Sequence, residues 1–440
     1  MATGFPALFE AAETFLTRRR PGRALTWLAR TPIPFVTPDR IAALLPDPDL
    51  EAISPSPLVD GNPERPPPPP GILEGGVVIK DQIDVAGMRT GVGMADGGEV
   101  ATTDAPIVAR IVAAGGHILG KAKMTELGID GIGALMHYAM PRNPRAPGYI
   151  PGGSSTGTAV AVAAGLARYG IGGDGLGSIR IPAAYCGLVG LKPSRTRYPR
   201  IGIQSPVRTL DAVGPITRTV DDCARLWQVM ADEPIVTLSA AVPARLGVPL
   251  LRLPWRVARS VWAGFVRALA ALGAPTDPVE LRGLESATFL GGMIGAHEMA
   301  SGPFAGRTRT QSGRMSLAIG RSFSPLDVAR LERQREALRV ATERVLERTP
   351  ILAMPTTAIP PPALSRVLLA GRNDLTVIRS IGGFTPLANL LDLPAIAVPC
   401  GVDERGRPLS IMFVGARGSE TALLRLALAV EQTGLGTRPL

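Results

Sequence analysis

One glycine-rich segment of the chain holds a serine in a position suited to nucleophilic chemistry. The segment reads GGDGLGSIR at residues 172–180, so that Ser178 is its single hydroxyl, with an acidic residue before it and a basic residue after it. The backbone N–H groups of a glycine-rich turn, here residues 175–178, can converge on a developing oxyanion without obstruction from side chains. These residue types suit acyl transfer, with Ser178 as the nucleophile at the turn.

The base that would activate this serine is not an obvious histidine. The chain of 440 residues has three histidines, at positions 117, 137 and 297. None of them is well placed for a Ser-His-Asp triad, and the segment lacks the GxSxG pattern of a nucleophile elbow. A triad of that kind is therefore not expected.

Lysine is scarce in this chain, which makes each lysine informative. Among 47 lysine and arginine residues, lysine stands only at positions 80, 121, 123 and 192. Arginine replaces lysine easily where only a positive charge is needed, but its guanidinium group does not lose its proton. Lys80 follows the apolar run VVI, which is typical of a buried strand ending on a polar residue. Because burial can keep a lysine neutral, Lys80 is a candidate base, relayed through a hydroxyl such as Ser154 or Ser155.

The same glycine-rich region also satisfies a nucleotide-binding pattern. GIGGDG at 170–175 matches GxGxxG, which marks a dinucleotide site when a helix opens directly after it and an acidic residue follows about 20 residues on. Here prolines stand at 182 and 193, and the segment has no helical period. We therefore expect neither a helix directly after these glycines nor a dinucleotide cofactor.

The N-terminal part of the chain differs in character from the rest. It is predicted as helical pieces broken by proline, followed by a stiff polyproline connector, NPERPPPPP. We expect this arm and connector to occupy residues 1–65 and a single catalytic domain to occupy residues 66–440.

The elements that position the candidate residues alternate between helices and short apolar strands. A tightly buried helix is predicted to begin near Ser154 or Ser155, and a long amphipathic helix over 324–348 with Ser324 as its N-cap. Strand-like runs follow in PILAMPTTA and LPAIAVPCG. The pattern favours a layered α/β fold.

Three blocks of the sequence together resemble the amidase signature family. These are VVIKDQIDVAG, GGSSTG and GDGLGSIRIPAAYCGLVGLKPS, and the resemblance runs from about Gly71 to the C-terminus through GKAKMTEL, RNP, AVGPITRTVDD, AMPTTA and TPLANLLDLPAIAVPCG. The resemblance implies α/β/α layers around a large mixed β-sheet. It also implies an amidase that hydrolyses a carboxamide C–N bond through an acyl-serine intermediate.

The resemblance also implies a catalytic triad without histidine. By position in the blocks, Ser178 is the nucleophile, Ser154 the bridging serine after a cis peptide bond, and Lys80 the general base. Ser155 would hydrogen-bond within this network. The oxyanion donors would be the backbone N–H groups of Gly175, Leu176, Gly177 and Ser178.

Two charged residues flank the nucleophile, and three positions depart from the family pattern. Asp174 and Arg180 are expected to fix the loop by an ion pair or hydrogen bonds. The family commonly has GTDTGGS and GGSSGG, whereas this chain has Gly173 for a threonine, Leu176 for a glycine and Thr156 for a glycine. None of these removes a triad member, but Leu176 adds an apolar side chain beside the oxyanion turn, so the pocket shape and substrate size are not assigned. For the region from about 235 to 320, no residue can be carried over from the resemblance.

Composition limits the other functions that the chain could have. The net charge of +10 comes mostly from arginines spread along the chain, which favours a solvated face over a nucleic-acid groove. The three cysteines, Cys186, Cys223 and Cys400, are scattered and predicted to be buried, and no metal-site spacing is present. We expect no metal, no cofactor and no membrane segment, with the cytoplasm as the location; a homodimer is left open.

Other functions of the same fold remain open at this point. One is the glutaminase subunit of a tRNA-dependent amidotransferase, which needs partner proteins. Another is an amide-forming enzyme that transfers the acyl group to an amine, and a third is an inactive scaffold or binding protein, which the intact triad disfavours. The substrate is expected to be a small-molecule amide of unassigned identity.

Overall fold

The structure of the chain is a computed structural model that describes residues 58–61, 67–134, 136–250, 257–365, 377 and 380–436. Most of the predicted N-terminal arm, and the first part of the polyproline connector, lie outside the described residues. The four residues 58–61, inside the predicted helical arm, form a strand that pairs with residues 120–122.

Eleven strands of the described chain form one mixed sheet, and two further strands form a small ribbon. In chain order the strands are Leu58–Gly61 (β1), Gly75–Lys80 (β2), Arg89–Thr90 (β3), Glu99–Val100 (β4), Gly116–Ala122 (β5), Tyr169–Asp174 (β6), Val189–Lys192 (β7), Ala212–Thr217 (β8), Leu246–Pro249 (β9), Thr276–Val279 (β10), Ile351–Pro355 (β11), Ala395–Val402 (β12) and Pro408–Gly415 (β13). The sheet order is β1-β5-β2-β6-β8-β7-β12-β13-β11-β9-β10, with β3 and β4 in the ribbon. Third from one edge, β2 runs parallel to its neighbours β5 and β6, whereas β6 runs antiparallel to β8.

Helices cover both faces of this sheet. They are Pro106–Ala113 (α1), Thr156–Ala163 (α2), Arg180–Tyr185 (α3), Val220–Ala231 (α4), Arg259–Leu272 (α5), Ala287–Ser301 (α6), Gln311–Arg321 (α7), Pro325–Leu346 (α8), Pro386–Leu390 (α9) and Glu420–Gln432 (α10). Successive side chains of a strand point to opposite faces. Val77 and Ile79 of β2 accordingly join a core with α1, α4, α5 and α10, while Val78 joins one with α2. The predicted α/β/α layering around a mixed sheet is confirmed.

Two of the predicted helices, α8 and α2, begin where the sequence predicted. The long helix α8 spans Pro325–Leu346, and Ser324 and Asp327 form a reciprocal capping box at its start. Helix α2 begins at Thr156, directly after the two serines, but the Ser155 hydroxyl does not cap it. That hydroxyl is used elsewhere, in the site described below.

The expectation that no helix follows the glycine-rich segment is wrong. Helix α3 begins at Arg180, two residues after Ser178, and it contains Pro182. A proline is tolerated in the first turn because the N–H group that it lacks would have no partner within the helix there. The first turn of a short helix thus formed despite the proline that argued against it.

Candidate active site

Lys80 and the two serines of GGSSTG meet where β2 and β6 end. Because β2 and β6 are parallel and in register, with Ile79 opposite Ile171, the last residues of both strands lie at one edge of the sheet. The Lys80 ammonium, 1% exposed, donates to Ser154 Oγ at 2.8 Å and to the Gly173 carbonyl at 2.9 Å. A lysine and a serine separated by 74 residues in the chain are therefore in direct contact.

Ser155 fastens the start of α2 to the end of β6. Its hydroxyl donates to the Gly173 carbonyl at 3.0 Å and accepts from the Gly173 N–H at 3.2 Å. Its backbone N–H donates to the Ser178 carbonyl at 3.3 Å, and the preceding Gly153–Ser154 peptide bond is cis. These bonds bring the serine pair against the turn that carries Ser178.

Ser178 lies in the turn between β6 and α3 and is 8% exposed. Among the described residues its hydroxyl has no hydrogen-bond partner. The side chains of Ser178 and Ser154 are therefore not hydrogen-bonded to each other. The two residues are connected through the backbone, because the N–H group of Ser155, which follows Ser154, donates to the Ser178 carbonyl. The structure therefore joins Lys80 to Ser154 directly and places Ser178 beside them with a hydroxyl that is not engaged.

The surroundings of Lys80 favour its neutral form more than water does. Burial lowers the pKa of Lys80 to about 8, against the opposing effect of the carboxylates of Asp211 and Asp174. Asp211 is itself held by Gln82, whose amide donates to Asp211 Oδ2 at 2.7 Å. A base with a pKa near the working pH is suited to proton transfer.

A fully buried network holds the turn that carries Ser178. Asp174 accepts from the Gly177 N–H at 2.6 Å and from the Arg180 guanidinium at 2.9 and 3.0 Å. Asn389 donates to Asp174 and accepts from Arg180 at 2.6 Å, while the Thr385 hydroxyl donates to the Leu176 carbonyl at 2.6 Å. Burial alone would raise the pKa of Asp174, but the charge and hydrogen bonds of Arg180 hold it well below its usual range. The network stabilises the ionised carboxylate and, through it, the turn.

Asp174 also divides the four predicted oxyanion donors into two groups. The Gly177 N–H is directed to the Asp174 carboxylate and is not available for an oxyanion in this structure. Within the described part of the chain, the N–H groups of Gly175, Leu176 and Ser178 have no hydrogen-bond partner. Those three groups are the ones that can receive a developing negative charge.

A buried carboxylate that sequence reasoning missed connects the site to residues 308–310. These residues lie in the region of about 235 to 320 for which the sequence led to no interpretation. Glu126, 1% exposed, accepts from the side chains of Thr308 and Thr310 and from the N–H groups of Arg309 and Thr310. It also contacts His137 Nε2 at 2.8 Å. Burial would raise the pKa of Glu126, and these hydrogen bonds together lower it to about 2.

Glu126 lies in the loop that packs against Ser154. Two residues later, a β-carbon at Gly128 would lie 3.2 Å from Ser154 Oγ, so this loop packs against Ser154. The available signal was the glutamate in GKAKMTEL, but its partner Thr308 is 182 residues away, in a segment without a recognisable pattern.

Burial does not single out Lys80 among the four lysines. All four lysines are buried, with exposed fractions of 1% for Lys80, 0% for Lys121, 6% for Lys123 and 0% for Lys192. Burial also lowers the pKa of Lys192 to about 8, but its ammonium donates to the Pro193 carbonyl at 2.8 Å rather than to a serine. Contact with Ser154 is what distinguishes Lys80. The three cysteines are buried and free, as predicted.

Replacing Asp174 by asparagine is expected to lower the free energy of unfolding by about 3–5 kcal/mol, because it leaves the buried Arg180 charge uncompensated. Denaturant unfolding followed by tryptophan fluorescence measures this change. The matched control is Asp96→Asn, since the Asp96–Arg307 pair, at 2.9 Å, lies at the surface with both side chains well exposed. That variant should change stability by about 1 kcal/mol or less. Equal losses in the two variants would contradict a supporting role for the buried pair.

The described residues lack two kinds of feature. They contain no cluster of three or more His, Cys, Asp or Glu side chains that could hold a metal ion. None of their helices has both the length and the apolar character needed to cross a membrane.

Comparison with known proteins assigns the chain to a family. The family model described as Amidase matches residues 67–249 and 296–424. The chain belongs to the amidase family. This enzyme family hydrolyses amide C–N bonds, and the predicted resemblance is confirmed. The matched parts contain Lys80, Ser154 and Ser178, whereas residues 250–295 between them are not matched.

Relatives of this amidase-family chain include proteins with different named roles. AmiB2 of Mycobacterium tuberculosis, named as an amidase, is 32% identical over 376 residues, covering 81% of this chain and 80% of the relative. A glutamyl-tRNA(Gln) amidotransferase subunit of Symbiobacterium thermophilum is 32% identical over 405 residues, covering 81% of this chain and 82% of the relative. A solved structure described as that of an amidase has a TM-score of 0.70 at 26% identity and covers 98% of this chain and 99% of its own.

Proposed function

We propose that this amidase-family enzyme hydrolyses small-molecule carboxamides through an acyl-Ser178 intermediate, with Ser154 and Lys80 as the proton relay. The observation that carries the proposal is the 2.8 Å contact of the buried Lys80 with Ser154, beside a serine whose hydroxyl is not engaged. A buried lysine with a lowered pKa can accept a proton, which an arginine in the same place cannot.

Acylation begins with neutral Lys80. Ser178 Oγ attacks the amide carbonyl carbon, its proton passes to Ser154 Oγ, and the Ser154 proton passes to Lys80 Nζ. The carbonyl oxygen becomes an oxyanion that the N–H groups of Gly175, Leu176 and Ser178 stabilise. The C–N bond then breaks, and the leaving amine takes a proton from Ser154, which Lys80 replaces.

Deacylation repeats the relay with water as the nucleophile. Water gives its proton through Ser154 to Lys80 while its oxygen attacks the acyl carbon. The ester bond to Ser178 breaks, Ser178 regains its proton from the relay, and the carboxylic acid leaves. Since each half-reaction returns Lys80 to its neutral form, this cycle needs no other co-reactant than water.

A glutaminase component of a tRNA-dependent amidotransferase is the second candidate function. The Symbiobacterium relative, named as an amidotransferase subunit, is as similar in sequence identity, at 32%, as the mycobacterial relative named as an amidase. The two candidates differ in substrate and in the need for partner proteins.

The purified chain alone is therefore expected to release amine from simple uncharged amides, such as aliphatic and aryl amides. The experiment measures ammonia or amine release across a panel that includes glutamine, with Ser178→Ala as the background. Turnover restricted to glutamine, and present only after addition of partner subunits, would support the glutaminase instead. Amide formation from an ester and an amine in preference to hydrolysis would indicate an acyl-transfer enzyme.

A further inference from the structure

The side chain of Leu176 is seated against a glycine of helix α6. A β-carbon built at Gly291 would lie only 2.6 Å from Leu176 Cδ2 and 3.6 Å from Cδ1. Two carbon atoms do not approach so closely without contact strain. Leu176 therefore occupies the space that a side chain at position 291 would need.

A second apolar side chain packs against the same face of α6. A β-carbon built at Gly295, one helical turn after Gly291, would lie 3.4 Å from Val207 Cγ1. A β-carbon built at Gly175 would lie 3.0 Å from Val207 Cγ2. Val207 thus fills the space between α6 and the turn that precedes Ser178. Glycines on this helix face let α6 lie close to that turn, with Leu176 and Val207 packed between them.

The partner of Leu176 comes from a part of the chain that the family does not define. Gly291 and Gly295 both lie in residues 250–295, which fall between the two matched parts of the family model.

Leu176 also lies close to the reacting atoms of the proposed mechanism. Its backbone N–H has no partner among the described residues and is one of the three groups that can receive the oxyanion. The carbonyl carbon of a bound amide must therefore lie a few ångströms from this residue, and the side chain is half-buried rather than sealed in the core. A side chain in this position takes space beside the substrate.

We propose that Leu176, held in place by Gly291 of α6, limits the size of the acyl group that the enzyme accepts. This inference rests on the proposed function, because it places the substrate carbonyl at the turn that carries Ser178. It names the substrate class more closely: amides with short acyl chains. The space left for the acyl group beside Leu176 then depends on both residues, because the absence of a side chain at Gly291 sets where the Leu176 side chain lies.

The experiment compares the rates at which fluorophosphonates with methyl, butyl or octyl groups on phosphorus inactivate the enzyme. In this reaction the Ser178 Oγ–P bond forms, fluoride leaves, and the proton passes through Ser154 to Lys80. The measured quantity is the ratio of the octyl to the methyl rate constant. Leu176→Ala should raise this ratio by about tenfold or more, since single methylene groups in apolar pockets discriminate by such factors. Leu176→Val should shift it in the same direction by less.

Variants of α6 test whether the two residues act as a pair. Gly291→Ala should lower the octyl-to-methyl ratio, because the new methyl group displaces Leu176 toward the substrate. Its matched control is Gly292→Ala, where a β-carbon meets nothing within 4 Å and the ratio should stay at the wild-type value. In the Leu176→Ala background, Gly291→Ala should leave the octyl-to-methyl ratio unchanged, because the leucine Cδ atoms that the new methyl group would displace are absent.

The outcomes separate this inference from the function on which it rests. An unchanged ratio in folded Leu176→Ala and Leu176→Val, or equal ratios in Gly291→Ala and Gly292→Ala, would overturn the inference while leaving the hydrolase intact. Failure of every probe to label Ser178 in the wild type, with another serine labelled, would overturn the proposed function itself. Circular dichroism and melting temperature show which variants are folded.

Discussion

Ser178→Ala is expected to lose amide hydrolysis by a factor on the order of 10⁶ in kcat, the scale seen when a serine hydrolase loses its nucleophile. The reason is that no other group can form the acyl intermediate in the proposed mechanism. Amine release measures the loss, and mass spectrometry of the enzyme treated with a fluorophosphonate locates the labelled residue, which should be Ser178.

The matched control for this variant is Ser194→Ala. Ser194 is buried, and its hydroxyl has no partner among the described residues, so removing it deletes a hydroxyl without breaking a hydrogen bond. Its activity should stay within about twofold of the wild type, consistent with the small effect of changes that disturb no such interaction. Substantial activity in Ser178→Ala, with the label on a different serine, would refute the assignment of the nucleophile.

Lys80→Arg is expected to be nearly as damaging as Lys80→Ala, with losses of about 10²–10⁴-fold in kcat, the usual contribution of a general base. Arginine keeps the positive charge and most of the length of the side chain but does not deprotonate. Ser154→Ala breaks the relay while keeping Lys80 and Ser178, so its residual activity should be larger. The measurement is kcat for the three variants on one amide.

The pH profile of the wild type tests the same assignment independently. With its pKa lowered to about 8, Lys80 carries a proton below that pH and cannot accept another. The kcat/KM value should therefore fall as the pH drops below about 8 and level off above it. This acid-side fall in kcat/KM should persist in Lys121→Arg, because the Lys121 ammonium faces Asp81 at 3.7 Å and donates to the Arg89 carbonyl and the Thr90 hydroxyl, away from the serines. High activity of Lys80→Arg at pH 6 would exclude Lys80 as the base.

The family and a set of candidate site residues could be predicted from the sequence. Scarcity of lysine drew attention to four residues, and all four are buried. The order and spacing of the blocks around Lys80, Ser154 and Ser178 predicted the family, which the family model confirms. The roles of these three residues remain predictions that the variants above test.

Local signals also predicted much of the fold. The apolar run before Lys80 is strand β2, the serine pair precedes helix α2, and the Ser324 cap begins α8. Strand alternation and helix capping depend on residues a few positions apart, so a linear pattern contains them. Two local predictions failed. Residues 58–61 form a strand inside the predicted helical arm. A helix follows Ser178 although none was expected, because Pro182 was given more weight than its place in the first turn justified.

By itself the sequence predicted the fold class and the family, and it proposed Ser178, Ser154 and Lys80 as candidate nucleophile, relay and base. These predictions came from residue types within three blocks and from the family resemblance that the blocks carry together. Only the tertiary structure decided how the site is completed. It directs the Gly177 N–H to Asp174, and it brings in Asn389, which lies 215 residues from Asp174 along the chain. It also seats Leu176 against Gly291. The physical reason is that these contacts join distant segments through close packing, and close packing depends on how whole elements come together rather than on any local pattern.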